Sequence, residues 1–429
     1  MDRPVRPTEA HAIPVETRRG ASPPTQAAAS PPSRAETVEP VALVETRHGA
    51  SSPTPGGAST PRRGPSRRAG ASVLYLCTDA YGGYGGIAQY NRDLLAAVSA
   101  SPAVRETLVL PRVVGGPLEA VPPRVRFDAR SAGATARFVL RALARATSRP
   151  GLIVCAHLNL LPVAVALKKA TGARLVLGIY GIDAWTDPGR RGLHWMLRQL
   201  DAVYSISDFT LQRFQAWAPV ADVPAFLLPN AVHLEDYAAG EKPAALLDRY
   251  GLRGKTVLMT TGRMDARERY KGFDQVLGSL ARLAPAHPGL AYVVVGRGDD
   301  QPRIEALARA LGVRDRVTFT GFVDEAEKAD HFRLADAYVM PSGGEGFGFV
   351  FLEALACGVP CVGSDTDGGR EALRLGQLGR LVRPDDPAGL DAAVLGALAT
   401  PKGIPDGLAH FAFPRFAERA HAMLRAVTA

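Results

Sequence analysis

The chain has 429 residues, 46% hydrophobic and 22% charged, with a formal net charge of +9. That composition fits a globular enzyme of two or three folding units, and four cysteines in such a length exclude a scaffold built on disulfides. The modest basic excess suits an anionic small molecule or an anionic membrane surface, and without a recognition motif of the usual types nucleic acid is not an expected partner.

Residues 1–70 hold no aromatic side chain, 12 of the 34 prolines, and ten Arg against six acids. Such a stretch cannot bury enough apolar surface to offset its chain entropy, so a disordered tail is expected. Within it Val15–Ser22 returns as Val44–Ser51, too few copies for a stacked repeat. Residues 1–30 lack the continuous apolar core of a signal peptide. The uncharged run Gly151–Leu167 contains His157, Asn159 and Pro162 and is read as strand, loop and helix rather than a span. A cytoplasmic protein is expected, at the inner face of the plasma membrane where its acceptor requires it, with Cys77, Cys155, Cys357 and Cys361 as reduced, buried thiols.

From Ala71 the pattern changes. Ser72–Cys77 reads as a buried strand, and the glycine loop Gly82-Gly83-Tyr84-Gly85-Gly86 follows. Ile87, Tyr90, Asn91, Leu94, Leu95 and Val98 recur at helical spacing. Strands are expected at 107–110, 152–156, 174–179 and 202–206, with helices at 133–147, 162–170 and 192–200. After Leu228-Pro-Asn230 a second series begins, with strands at 256–261, 291–295, 316–319, 337–340 and 359–362 and a last helix at 414–428. Strands alternating with helices predict parallel sheets covered on both faces. The expected organisation is an α/β chain with a first doubly wound domain at 71–229 and a second at 230–405. Residues 406–429 form a helix packing back on the first. Ligands bind beyond the carboxyl ends of such strands, which places the site in the cleft between the sheets.

Two stretches carry chemistry. Pro341–Pro360 includes Glu345, Gly346, Phe347, Gly348 and Glu353, in a loop entering a helix that Gly358 ends. The two carboxylates bracket the free N–H groups of the helix start and suit sugar hydroxyls. In Gly262–Asp274, Arg263 stands at the end of a strand and Lys271 before Gly272 and a new helix. Two cations there would clamp a pyrophosphate and stabilise charge on a departing nucleotide. Arg267, Glu268 and Arg269 read as solvated loop charge.

Glu345 followed after seven residues by Glu353, with Gly262-Arg263 and Lys271-Gly272 before them, resembles the family 4 retaining glycosyltransferases of the two-domain GT-B fold. Gly85–Asn91, Leu228–Asn230, Val295–Gly298 and Thr320–Val323 agree with that family in order. The resemblance, over roughly residues 72–428, implies transfer from a nucleoside-diphosphate sugar with retention, no metal and no cofactor. By position it implies that Arg263 and Lys271 bind the donor diphosphate, Glu353 the ribose hydroxyls and Glu345 the donor sugar. Backbone N–H groups from Phe347 through Gly348 and Phe349 to Val350 would meet the sugar or phosphate. Phe322 and Val323 would lie near the base, Gly85 and Gly86 near the diphosphate, and His157 near the reacting carbon. His233 stands where the family often has Asp, and Tyr180–Asp183 replaces a pattern that commonly opens with His; Asp183 is then an expected partner of the acceptor hydroxyl. The expected acceptor is a carbohydrate or a lipid-linked group.

Asp365 and Asp367 imitate a metal-binding pair, but two acids without further hard ligands read instead as a loop near the phosphate, Gly368 and Gly369 offering N–H groups. Gly83–Ala88 imitates a nicotinamide fingerprint, yet no acid follows the next strand to bind a ribose. Arg137, Arg141 and Arg145 form a stripe that suits an anionic membrane or plain solvent. Alternatives to the transferase are an epimerase or phosphorylase of the same fold, and a nucleotide-sugar binder without catalysis.

Overall fold

The computed structural model describes residues 70–429. The tail, with its duplicated segment, lies outside the described residues except for Gly70.

The first lobe is a seven-stranded parallel sheet. In chain order it runs β1 (Ala71–Cys77), α1 (Gly86–Ala100), β2 (Val104–Pro111), β3 (Val125–Phe127), α2 (Thr135–Ala144), β4 (Leu152–Ala156), α3 (Leu161–Thr171), β5 (Arg174–Ile179), α4 (Leu193–Leu197), β6 (Ala202–Ser205), α5 (Asp208–Gln215) and β7 (Ala225–Leu227). The strand order is β3-β2-β1-β4-β5-β6-β7. The central strands are apolar runs buried on both faces, as a helix-covered parallel sheet requires.

The second lobe repeats the plan. It comprises α6 (Ala244–Arg249), β8 (Thr256–Thr261), α7 (Phe273–Leu283), β9 (Leu290–Val295), α8 (Gln301–Ala310), β10 (Val317–Gly321), α9 (Glu325–Leu334), β11 (Ala337–Met340), α10 (Val350–Ala356), β12 (Cys361–Ser364), α11 (Gly369–Ala372), β13 (Arg380–Val382) and α12 (Pro387–Leu398). Its order is β10-β9-β8-β11-β12-β13. In both lobes the direction of winding reverses beside the first strand, between β1 and β4 and between β8 and β11. Loops leaving such a pair diverge and open a crevice at the strands' carboxyl ends.

Three strands were not expected: β3, β7 and β13. Each has three residues, lies at or next to a sheet edge and is partly exposed, so its apolar pattern is weak. The helix expected at 133–147 is α-helical only over Thr135–Ala144 before a 3-10 turn, and that expected at 192–200 is a short Leu193–Leu197. The strand expected at 359–362 starts at Cys361, after Pro360, which has no N–H to give a ladder.

The chain crosses between the lobes twice, side by side. Val232 N–H donates to Phe411 carbonyl at 2.9 Å and Phe413 N–H to Val232 carbonyl at 3.1 Å. From there α13 (Phe413–Thr428) returns to the first lobe and packs on α1, where the His421 ring nitrogen Nε2 reaches the Ala97 carbonyl at 2.8 Å. At the first crossing His233 meets Asp93 of α1 at 2.9 Å and stacks on Phe413, ring centres 4.8 Å apart. Its contacts with Asp93 hold its imidazolium pKa up at about 9, against the effect of burial.

A buried polar network lies under the cleft. Tyr75 donates to Asn91 Oδ1 at 2.7 Å, Asn91 Nδ2 donates to the Asp79 carbonyl at 2.8 Å, and the Tyr180 and Tyr204 hydroxyls meet at 2.9 Å. Through it the glycine loop after β1 and the loop after β5 are fixed to one core. Among the described residues no helix is long and apolar enough to cross a membrane.

Candidate active site

Both crevices are lined by sequence-expected residues. Gly85 and Gly86 follow β1 and His157 follows β4; Arg263 and Lys271 follow β8, and Glu345 follows β11. Gly85 caps α1 at φ 91°, a left-handed conformation that a side chain would strain. A Cβ on Gly86 would stand 3.3 Å from the Phe349 ring of the other lobe, so the first loop lies directly on the second lobe.

The central feature is a line of charge. Lys271 Nζ donates to Glu345 Oε1 at 2.7 Å and lies 4.0 Å from Glu268 Oε2, while Glu268 pairs with Arg263 through its other oxygen. Lys271 and Glu345 are mostly buried, whereas the Arg263 side chain is 74% exposed. Burial works against the Lys271 ammonium, but Glu345 and Glu268 outweigh it and hold its pKa above the ordinary value. Arg263 and Lys271 do not touch. Glu268 sits between them, which corrects its expected role as solvated loop charge: it pairs with Arg263 and also faces Lys271, whose direct partner is Glu345.

Asp367 fixes the loop that carries Glu345. Its carboxylate accepts from Ser342 Oγ at 2.7 Å, Glu345 N–H at 2.8 Å and Gly369 N–H at 2.9 Å, and burial pushes its pKa up to about 6. Gly368 N–H in turn donates to the Glu345 carbonyl at 2.9 Å. The expectation that Gly368 and Gly369 offer N–H groups to a phosphate is therefore corrected, because both are already used within the loop. The N–H groups of Phe347, Gly348 and Phe349, by contrast, donate to no protein group among the described residues. The Phe347 ring is buried against Phe411 at the lobe crossing, centres 5.5 Å apart.

Glu353 lies inside α10, and its side chain is 5% exposed. One oxygen accepts from the Tyr237 hydroxyl at 2.7 Å and pairs with Lys328 Nζ at 2.6 Å; the other has no partner among the described residues. Val350 is half-buried one turn before it. Phe322 is half-exposed after β10, its ring edge-on to Tyr84 of the glycine loop and under the Arg297 guanidinium; Val323 beside it packs on the core.

Across the cleft His157 is nearly buried. Its Nδ1 accepts from Asn159 N–H at 3.0 Å, which leaves the neutral ring's proton on Nε2, 3.9 Å from Asp183 Oδ2. Burial and then Arg190 hold the imidazole below its ordinary pKa. Burial pushes the Asp183 carboxyl up to about 7, and its Oδ2 has no hydrogen-bond partner among the described residues. The loop bearing Asp183 abuts the loop bearing Glu345: a Cβ on Gly346 would stand 2.0 Å from the Tyr180 carbonyl oxygen, and one on Gly344 3.0 Å from Ile182. Ser207 Oγ donates to the Gly346 carbonyl at 2.7 Å, and the Glu371 carboxylate accepts from Asp208 and Phe209 N–H groups at 2.7 Å each. The lobes are thus closed on one another at the site.

The arginine stripe is also corrected. Arg141 and Arg145 turn inward to Asp128, at 2.9 and 3.0 Å, so only Arg137 of the three is free of a carboxylate. Among its exposed residues α2 also presents Leu140 and Leu143.

Two parallel doubly wound lobes closed over a cleft define the GT-B fold, and solved structures agree. A sucrose-phosphate synthase from Thermosynechococcus elongatus superposes with a TM-score of 0.64 over 83% of this chain and 96% of that one, at 22% identity. Anabaena HepE in complex with UDP-glucose gives 0.64 over 83% and 100%, at 18% identity. The family model described as Glycosyl transferases group 1 matches residues 253–403, within the second lobe. A phosphatidyl-myo-inositol mannosyltransferase of Mycolicibacterium smegmatis is 40% identical over 195 residues, 45% of this chain and 47% of that protein. A GDP-mannose-dependent alpha-(1-6)-phosphatidylinositol monomannoside mannosyltransferase of the same organism is 31% identical over 247 residues, 55% and 63% of the two chains. The chain spans about half the length of the phosphatidyl-myo-inositol mannosyltransferases that it matches.

Proposed function

We propose that the protein is a retaining glycosyltransferase that moves a sugar from a nucleoside-diphosphate sugar to a hydroxyl of a carbohydrate or lipid-linked acceptor. The line Arg263–Glu268–Lys271–Glu345 at the crevice of the second sheet carries the reading. An incoming diphosphate takes over both cations from Glu268 and Glu345, and Glu345 is released to the sugar hydroxyls. When the bond from the anomeric carbon to the phosphate oxygen breaks, positive charge grows on the sugar and negative charge on the leaving diphosphate. Arg263 and Lys271 stabilise the second. The acceptor oxygen bonds to the anomeric carbon on the same face, and its proton passes to the departing phosphate oxygen.

His157 and Asp183 line the opposite wall, where an Nε2–H donor and an unpartnered carboxylate oxygen suit sugar and acceptor hydroxyls. Two relatives are named for phosphatidylinositol acceptors and one for GDP-mannose, which makes these the first substrates to try. Exposed Leu140 and Leu143 beside Arg137 suit the anionic bilayer in which such an acceptor sits.

The test is transfer from GDP-mannose, then from UDP- and ADP-sugars, to phosphatidylinositol-containing vesicles, with and without a chelator. Lys271→Met and Glu345→Gln are each expected to lower kcat/KM by about 10²–10³-fold, and the chelator to change little. Activity unchanged from the wild type in both variants overturns the assignment. Dependence on inorganic phosphate, or release of free sugar or its isomer without an acceptor, points to the phosphorylase or the epimerase instead.

A further inference from the structure

The environment of Glu353 is more specific than a carboxylate in a cleft. Its Oε1 is held from two directions: by the Tyr237 hydroxyl, on the segment that follows the lobe crossing, and by Lys328 of α9. Lys328 is itself confined, its side chain 16% exposed, with Nζ 5.2 Å from the centre of the Phe349 ring. The ammonium is therefore lodged between a carboxylate and an aromatic face, and Phe349 in turn lies against Gly86 of the first lobe. Glu353 Oε2, by contrast, is buried and receives no hydrogen bond from any described residue. A buried carboxylate oxygen without a donor is a standing cost that a ligand's hydroxyls relieve.

We propose that Lys328 and Tyr237 are positioning residues: they pin one oxygen of Glu353 so that the other is presented to the ribose diol of the donor nucleotide. The inference rests on the nucleotide-sugar reading of the site and adds to it a dependence on the ribose hydroxyls. Neither residue needs to touch the ligand. Burial pushes the Glu353 carboxyl up, and Lys328, by charge and then by hydrogen bond, is the largest influence opposing it. With Lys328 removed, no cation opposes the effect of burial on the carboxyl and only Tyr237 still holds Oε1, so the acceptor offered to the diol is weakened. Tyr237 contributes direction, since a tyrosine hydroxyl in line with one oxygen fixes the plane of the group.

Ribose discrimination separates this role from a merely structural one. The binding of GDP, UDP and ADP to the full chain is measured by calorimetry, and the one that binds most tightly is compared with its 2′,3′-dideoxy form. The wild type is expected to prefer the ribose form by about tenfold or more. Lys328→Met is expected to lose most of that preference, weakening the ribose form about tenfold while moving the dideoxy form less than about twofold. Lys328→Arg restores most of it, and Tyr237→Phe, which deletes one oxygen and keeps the packing, lowers it about threefold. If Lys328→Met fails to fold, Tyr237→Phe carries the test alone. A ribose preference unchanged in the variants, or equal weakening of both ligands, overturns the proposal while leaving the donor reading intact. Failure of the wild type to bind any of the three nucleotides overturns the donor reading itself, and this inference with it.

Discussion

Asp183 is the residue whose titration is most visible from outside. In the unfolded chain its carboxyl titrates at the ordinary value near 3.8, and in the fold burial carries it to about 7. Between those values the folded protein keeps a proton that the unfolded chain has already released, so stability falls as pH rises through the window. Asp183→Asn removes that slope. Its thermal midpoint is expected to match the wild type at pH 4 and to exceed it at pH 8, by the equivalent of ~2–4 kcal/mol; parallel curves at all pH values would show the group to be ionised throughout. At this scale the sequence is legible where a motif fixes both residue type and spacing: Lys271 and Glu345, 74 positions apart, do meet at 2.7 Å. Glu268 and Lys328 were missed because each reads as one more charge in a polar stretch. What distinguishes them is burial between other charges, which no local pattern reveals. Gly368 and Gly369 misled for the opposite reason: free N–H groups were inferred from composition, whereas Asp367 and the Glu345 carbonyl occupy them.

Elements were legible in proportion to how much apolar surface each must hide. The central strands are continuous apolar runs and were recognised nearly to their ends, whereas β3, β7 and β13 hide little and left no pattern. The last helix shows the rule at its clearest. Phe416, Ala420, Met423, Leu424 and Val427 recur at helical spacing, all five are buried, and α13 lies on α1 through that stripe. Leu424→Ala is expected to destabilise the protein by ~2–4 kcal/mol, read as a lower denaturant midpoint at unchanged slope. Arg425→Ala, one position on and exposed, should move it by less than about 0.5 kcal/mol. Similar shifts for the two would mean that the helix does not anchor the return crossing.

For the whole molecule the decisive contact is between two loops without side chains in the way. Gly346 of the second lobe lies against the Tyr180 carbonyl of the first, and Ser207 and Glu371 bind across the same boundary. Gly346→Ala places a methyl group where the carbonyl oxygen stands. Each lobe should keep its thermal stability, yet the closed arrangement is barred; solution scattering is expected to report a larger radius of gyration, and kcat/KM to fall about 10²-fold. A variant as compact and active as the wild type would remove closure from the mechanism. Two doubly wound lobes could be counted from the alternation of strands and helices, but this contact could not, since it joins positions 166 residues apart with no shared pattern. The crossing also touches the loop that carries Glu345. Phe411, part of the strap that joins the lobes, presses on Phe347, two residues from Glu345. Pivot and loop therefore share one aromatic contact: a swing of the lobes about the crossing would press on the Phe347 ring, and through it on the backbone that carries Glu345.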